Sequence, residues 1–303
     1  MTTPRYLQLD VFSARPGGGN PLGVVIGAGW DATRMQRFAA WTNLVETTFV
    51  LPPTQPQASY RLRIFTPAKE IPFAGHPTIG SAHAVLETGF AHASGGALIQ
   101  ECAAGLLPIR VEHDGSGCRR LFVQAPAARV VHEGLHVEPI LAYLLRGIAL
   151  GALPPACVEG GRRWWVAEFA DEATLRGWKP DHVSIGTLAR ETDTLGLCAF
   201  ARSARRTPDA AGYDLVVRAF PAGVGIVEDP ASGAANGLIA AWIALREPDG
   251  ALADGYRVSQ GREIGRDATI TVRIDRAGGA VWVGGETHTI VDGTAHWPAH
   301  ESA

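Results

Sequence analysis

Two stretches far apart in the sequence constrain the fold more than anything else in it. Ile71-Pro72-Phe73-Ala74-Gly75-His76-Pro77-Thr78-Ile79-Gly80 runs into Ser81-Ala82-His83-Ala84-Val85-Leu86. Val227-Glu228-Asp229-Pro230-Ala231-Ser232-Gly233-Ala234-Ala235-Asn236 runs into Gly237-Leu238-Ile239-Ala240-Ala241-Trp242-Ile243-Ala244-Leu245. Each is a turn of Gly, Pro and small residues that launches a helix apolar nearly all round. Such a helix has no face to offer water, so it must be wrapped by other structure. Strand-like segments precede each turn and hairpins follow each helix, which reads as a duplication. The expected fold is α+β: two pseudo-symmetric domains, each a rolled, mostly antiparallel sheet around a central helix.

The intervening pattern fits that plan. Tyr6–Phe12 alternates like a half-buried strand and pairs as a hairpin with Leu22–Ile26 across the turn at Pro16–Pro21. Asp31 caps a helix carrying Met35, Phe38 and Ala39 at helical spacing. Val45–Leu51 is β-branched and strand-like, and Tyr60, Leu62 and Ile64 mark a further strand. The second half repeats this order, from a strand at Trp164–Phe169 to strands at 257–260, 269–274, 281–283 and 288–291. Strand signals give way to loop residues near Pro126–Val131, so the expected domains are 1–127 and 128–303, with the last strand free to return to the first domain.

At 303 residues, 46% hydrophobic and 19% charged, the chain can bury two cores. A net charge of -3 with no Lys/Arg block argues against nucleic acid or an anionic membrane surface as a partner; Lys69 and Lys179 are the only lysines. Cys102, Cys118, Cys157 and Cys198 are scattered without C-x-x-C spacing and read as single thiols. Met1-Thr2-Thr3-Pro4-Arg5 lacks a signal pattern and no apolar run reaches membrane length, so the expected setting is the cytoplasm.

The two turns carry the chemistry. Pro77 suits a first helical position, which puts His76 at a helix mouth, where free N–H groups favour an anion and disfavour an imidazolium. Asp229-Pro230 reads as an N-cap followed by a first helical residue, at a second mouth. Glu46, inside an apolar strand, reads as a buried carboxylate suited to general acid/base work, against the alternative of an edge-strand Glu in water. Taken singly, His76 could be a turn histidine held by backbone and Asp229 a cap. Together the three suit proton movement on a small carboxylic acid held between facing mouths.

Other patterns lead nowhere. His132-Glu133-Gly134-Leu135-His136 matches H-E-x-x-H, but that chemistry needs a stable helix, and Gly134, Pro139 and the preceding Val130-Val131 argue against one. No metal is expected. Gly17-Gly18-Gly19-Asn20-Pro21 lacks the Gly-Lys-Ser/Thr of a phosphate loop and reads as a turn.

The sequence resembles the phenazine-biosynthesis isomerase-like (PhzF) family, which shares the diaminopimelate epimerase fold. The resemblance rests on Asp10-Val11-Phe12 with Gly19-Asn20-Pro21-Leu22, Glu46-Thr47-Thr48-Phe49-Val50, and Ile64-Phe65-Thr66-Pro67 through Glu70–Gly80. Val227-Glu228-Asp229-Pro230, Gln260-Gly261, Ile264-Gly265-Arg266 and Val283-Gly284-Gly285 extend it to the C-terminus. It implies a site between two domains, no cofactor and a homodimer. The family's founding activity isomerises dihydro-hydroxyanthranilate by moving a proton between ring carbons. Its catalytic glutamate, histidine and aspartate fall on Glu46, His76 and Asp229. Asn20, Gly75, Pro77, Thr78, Ser232, Gly233 and Ala234 are the implied substrate-binding positions. Two serines of the phenazine enzyme are replaced, by Ala234 and Val45, which counts against its substrate and leaves the proton-transfer groups in place. Cysteine-based epimerases share the fold, but no cysteine lies in either turn, which disfavours a thiolate racemase.

The expectation is therefore a cofactor-independent isomerase acting by acid/base catalysis on a small carboxylate-bearing metabolite. The alternatives are an epimerase, racemase or lyase on the same fold, and a metabolite-binding or interaction protein that has lost turnover.

Overall fold

The computed structural model describes residues 3–115, 117–203 and 212–298; Met1 and Thr2 of the amino terminus discussed above lie outside them. Two units emerge, Met1–Gln124 with Gly284–Ala303 and Ala125–Val283. In chain order the first runs β1 (Arg5–Val11), β2 (Asn20–Ile26), α1 (Ala32–Thr42), β3 (Thr47–Leu51), β4 (Tyr60–Phe65), β5 (Glu70–Ile71), α2 (Gly75–Glu87), β6 (Ala97–Cys102), β7 (Gly105–His113) and β8 (Arg119–Gln124). The second runs β9 (Arg129–Glu133), α3 (Pro139–Leu144), β10 (Ala156–Gly160), β11 (Arg162–Phe169), α4 (Glu172–Gly177), α5 (His182–Glu191), β12 (Leu197–Arg202), β13 (Leu215–Phe220), α6 (Gly233–Arg246), β14 (Gly255–Gln260) and β15 (Ala268–Asp275). After β16 (Ala280–Gly285), β17 (Thr287–Thr294) pairs with β1 and so completes the first unit.

The duplication is visible in strand pairing. In the first unit β1–β2 is antiparallel, β2–β3 parallel, β3–β4 antiparallel, β4–β6 parallel and β6–β7 antiparallel. In the second, β10 to β15 repeat that series of directions in order. Each series gains a preceding antiparallel neighbour, β17 beside β1 and β9 beside β10. Mixed sheets of this kind around one helix are the α+β architecture that the two apolar helices demand.

Those helices are wrapped. In α2 His76 through Ala82, Ala84 and Val85 are buried, and the helix touches β1, β2, β3, β4, β6, β8 and β17. Its buried hydroxyls are satisfied locally: Ser81 Oγ lies 2.9 Å from Thr48 Oγ1, and Thr78 Oγ1 accepts from Gln100 Nε2 at 3.2 Å. Gly80 marks the closest approach, since a Cβ there would stand 2.5 Å from Leu22 Cδ2 and 2.8 Å from Val11 Cγ2. In the second unit α6 buries Ala235 through Ala240 with Trp242 and Ile243 against β10, β11, β12 and β15. The other sheet faces carry separate cores. Met35, Phe38 and Ala39 of α1 pack on Trp30, Phe49 and Phe65, while Leu175, Ile185 and Leu188 pack on Trp165, Phe169 and Phe220.

Four local expectations are corrected. Glu46 is not inside a strand: β3 begins at Thr47, and Glu46 ends the connection from α1. Pro77 is the third residue of α2, because the Thr78 N–H already bonds the Ala74 carbonyl at 3.2 Å; like a first position, a third needs no donor. Asp229 is not an N-cap. Its N–H bonds Ala219 at 2.8 Å in an extended bridge, and the cap of α6 is Ser232, whose Oγ accepts from Ala235 N at 3.3 Å. Arg129–Val131, read as loop, begins β9 and pairs with β10.

Candidate active site

The first unit brings Glu46 and His76 together. α1 ends at Asn43 in the left-handed region, and a Thr42–Thr47 hydroxyl contact of 2.8 Å pins the short connection that carries Glu46. Parallel pairing of Gly23 with Thr47 sets Glu46 beside the start of β2, where Asn20 and Pro21 lie. His76 is the second residue of α2, whose N-cap, Ala74, supplies no side-chain oxygen. Glu46 Oε2 and His76 Nε2 stand 3.5 Å apart, with the side chains only 12% and 8% exposed.

Burial drives the imidazole down to about 3, outweighing its hydrogen bond to the Pro21 carbonyl, so at neutral pH the ring is uncharged. Nε2 makes no hydrogen bond, so the ring nitrogen that donates to Pro21 is Nδ1. The neutral ring then presents the Nε2 lone pair to the carboxyl. An O–H on that carboxyl would have the lone pair as its acceptor. A carboxylate that has just taken a proton finds an acceptor waiting.

The other implied residues of this unit are less available. Asn20 is fully buried at the start of β2, Gly75 is half-buried and Pro77 is buried. Thr78 has its N–H on Ala74 and its hydroxyl on Gln100, so both polar groups are engaged within the unit.

The second unit gathers Asp229, Ser232, Gly233 and Ala234. Two networks hold their turn. Gln260 donates through Nε2 to the Asp229 carbonyl at 2.8 Å and accepts through Oε1 from Ser232 N at 3.3 Å and Asn236 Nδ2 at 3.0 Å. Just before it, Glu228 is clamped by Arg218 with two bonds of 2.9 and 2.8 Å, and Arg218 also donates to the carbonyls of Leu175 and Trp178. The Asp229 carboxylate accepts from Ala231 N at 3.2 Å and is half-buried, while Ala234 in the first turn of α6 is exposed. Neither Gln260 nor Arg218 had a legible role in the sequence. Their signal was a polar residue in a run of strand positions, Val258-Ser259-Gln260 and Val216-Val217-Arg218-Ala219.

Two further groups bear on metals. His132 lies in β9 and His136 in a one-turn 3₁₀ helix, with Gly134 at φ 91° between them, so the H-E-x-x-H residues do not share a helix face. Among the described residues Asp114, Cys118 and Glu286 bring three potential ligand atoms within 4.8 Å of one another. Arg120 sits among them, bonding Glu286 at 3.0 Å and Asp114 at 3.1 Å, so the cluster carries its own cation.

The fold superposes on a Bacillus anthracis phenazine biosynthesis protein of the PhzF family with a TM-score of 0.81 and 26% identity, covering 97% of this chain and 99% of that one. A trans-2,3-dihydro-3-hydroxyanthranilate isomerase of Pseudomonas aeruginosa is 32% identical over 296 residues, 96% of this chain and 99% of its own. Antisense-enhancing sequence 1 of Schizosaccharomyces pombe is 31% identical over 301 residues, 97% of this chain and 99% of its own. Fold and relatives define the class, a small-molecule isomerase built on duplicated mixed sheets. Residues 9–293 match the family model described as phenazine biosynthesis-like protein, and the chain belongs to that family.

Proposed function

We propose that the protein moves a proton within a small carboxylate-bearing metabolite, without a cofactor. A C–H bond of the substrate breaks, its proton passes to Glu46 and its electron pair shifts the unsaturation. Glu46 then returns the proton to another carbon. The observation that carries this reading is the pair itself: a largely buried carboxyl facing the lone pair of an imidazole that burial keeps neutral. His76 steadies the protonated carboxyl, the N–H groups that open α2 suit the substrate's carboxylate, and the resemblance gives Asp229 the third catalytic role. Ala234 and Val45, in place of hydroxyls, favour a substrate less polar than dihydro-hydroxyanthranilate at those positions. All four cysteines are free thiols, which suits the reducing cytoplasm proposed as the setting. Among the described residues no helix is long and apolar enough to cross a membrane. A homodimer is the proposed assembly, as the family resemblance implies, and light scattering reads it.

The test is solvent-deuterium incorporation into candidate cyclic and acyclic carboxylates, followed by NMR. Wild type should introduce deuterium and shift a double bond. Glu46→Gln should fold and bind while exchange falls by roughly a hundredfold or more. Exchange at an unchanged rate in the variant removes Glu46 from the mechanism. Inversion of a stereocentre with the unsaturation unmoved makes the enzyme an epimerase instead.

A further inference from the structure

The tautomer of His76 depends on what sits behind it. Its Nδ1 donates to the Pro21 carbonyl, and Pro21 stands directly opposite Asp10 in the β1–β2 register. Asp10 is 3% exposed, and its Oδ2 accepts from Gly17 N at 2.7 Å and Gly19 N at 3.1 Å, so one carboxylate oxygen gathers the whole turn that feeds β2. The turn has no slack. A Cβ on Gly19 would lie 2.2 Å from the Val11 carbonyl oxygen, and Phe12, fully buried, is held at φ 62°, a region costly for a bulky non-glycine residue. Backbone strain of this kind persists only where the surroundings over-determine it. Here they do so two residues past Asp10, just beyond the end of β1.

We propose that Asp10 is a positioning residue: by clamping the 16–19 turn it fixes the Pro21 carbonyl, holds His76 as the Nδ1–H tautomer and so points the Nε2 lone pair at Glu46. The opposite tautomer would aim an N–H at Glu46, stabilise the ionised carboxylate and make it a poorer base. The catalytic meaning of the clamp rests on the proton-transfer reading above; the tautomer itself can be read without turnover.

The experiment uses the full chain labelled with ¹⁵N-histidine, the His76 signals being assigned by their loss in His76→Asn. Long-range ¹H–¹⁵N spectra give the tautomer directly. Wild type should show Nδ1 protonated. Asp10→Ala, which removes both bonds to the turn, should populate the Nε2–H form and lower the deuterium-exchange rate at least tenfold at saturating substrate with KM changed less than threefold. Asp10→Asn, which keeps an acceptor oxygen, should restore most of the wild-type tautomer, and it carries the test by its partial shift if the alanine variant does not fold. A His76 that stays fully Nδ1–H in every folded Asp10 variant overturns the proposal. A tautomer that shifts while exchange is unchanged upholds the clamp and instead overturns the role given to Glu46 and His76.

Discussion

Arg218 and Glu228 are both almost fully buried, at 6% and 5% side-chain exposure, and joined by a bidentate ion pair immediately before Asp229. Arg218→Met keeps the length and apolar body of the side chain. It deletes four hydrogen bonds, two to Glu228 and two to the carbonyls of Leu175 and Trp178. The decisive loss is not the pair's attraction but the carboxylate left behind, buried without its cation. Breaking a buried pair from one side costs about 3–5 kcal/mol, whereas replacing both partners by apolar residues is often close to neutral. The expected series is therefore a loss of about 4 kcal/mol for Arg218→Met, of similar size for Glu228→Met, and of only about 1–2 kcal/mol for the double variant, the residue reflecting the two orphaned carbonyls. Urea unfolding followed by tryptophan fluorescence reads all three, Trp178 being in contact with the site through its carbonyl. The double-mutant cycle should give a coupling of several kcal/mol. Coupling below about 0.5 kcal/mol would mean the pair is effectively solvated and would refute the argument.

Burial holds both His76 and His83 near 3, His83 with help from Arg119 and His288. Both folded values lie below the ordinary 6.5, so between 6.5 and 3 the unfolded chain binds more protons. Stability should then be complete above pH 6.5 and fall on acidification, with a slope on the order of 1 kcal/mol per pH unit for each ring. His83→Gln should make an unfolding-versus-pH curve measurably flatter; an unchanged slope would show that His83 is solvated. Gly80→Ala should cost about 1–3 kcal/mol by chemical denaturation despite its better helix propensity, because Leu22 and Val11 are fully buried and cannot retreat; a gain in stability would show that the β1–β2 sheet yields. Ala234→Ser, at an exposed position in the first turn of α6, should change stability by less than about 0.5 kcal/mol while altering substrate preference in a panel of carboxylates. A large stability loss with unaltered binding would show Ala234 to be a packing residue.

Local pattern carried the reading a long way and then stopped at contacts between distant segments. Helices apolar on every side implied sheets around them, and α2 and α6 are so wrapped. Alternation and turns marked many of the strands, but not β9 or β10. Where the sequence misled, two local solutions competed: Asp229-Pro230 fits a capping pattern as well as Ser232 does, and the Gln260 contacts decide in favour of Ser232. Val45 and Glu46 share the β-branched run of β3, but the pairing with β2 begins only at Gly23 and Thr47. Glu46 and His76 were grouped by the chemistry each offers and again by the resemblance, not by spacing. The Pro21 carbonyl behind His76 and the Arg120 cation among Asp114, Cys118 and Glu286 leave no trace in spacing at all, because they depend on which strands become neighbours.

The placement of β17 has a consequence for biosynthesis. β1 leaves the ribosome before the whole of the second unit, yet the strand that covers it, β17, follows that unit. Residues 125–283 must be translated in between, which at about 5–20 residues per second takes on the order of ten seconds. Throughout that interval the nascent first unit exposes an uncovered edge on β1, the kind of surface that recruits stray strands. The second unit faces no such delay, since β9 to β15 emerge consecutively. The unit begun before the other is thus completed after it, and synthesis must pass residues 287–294 before the unit holding Glu46 is whole.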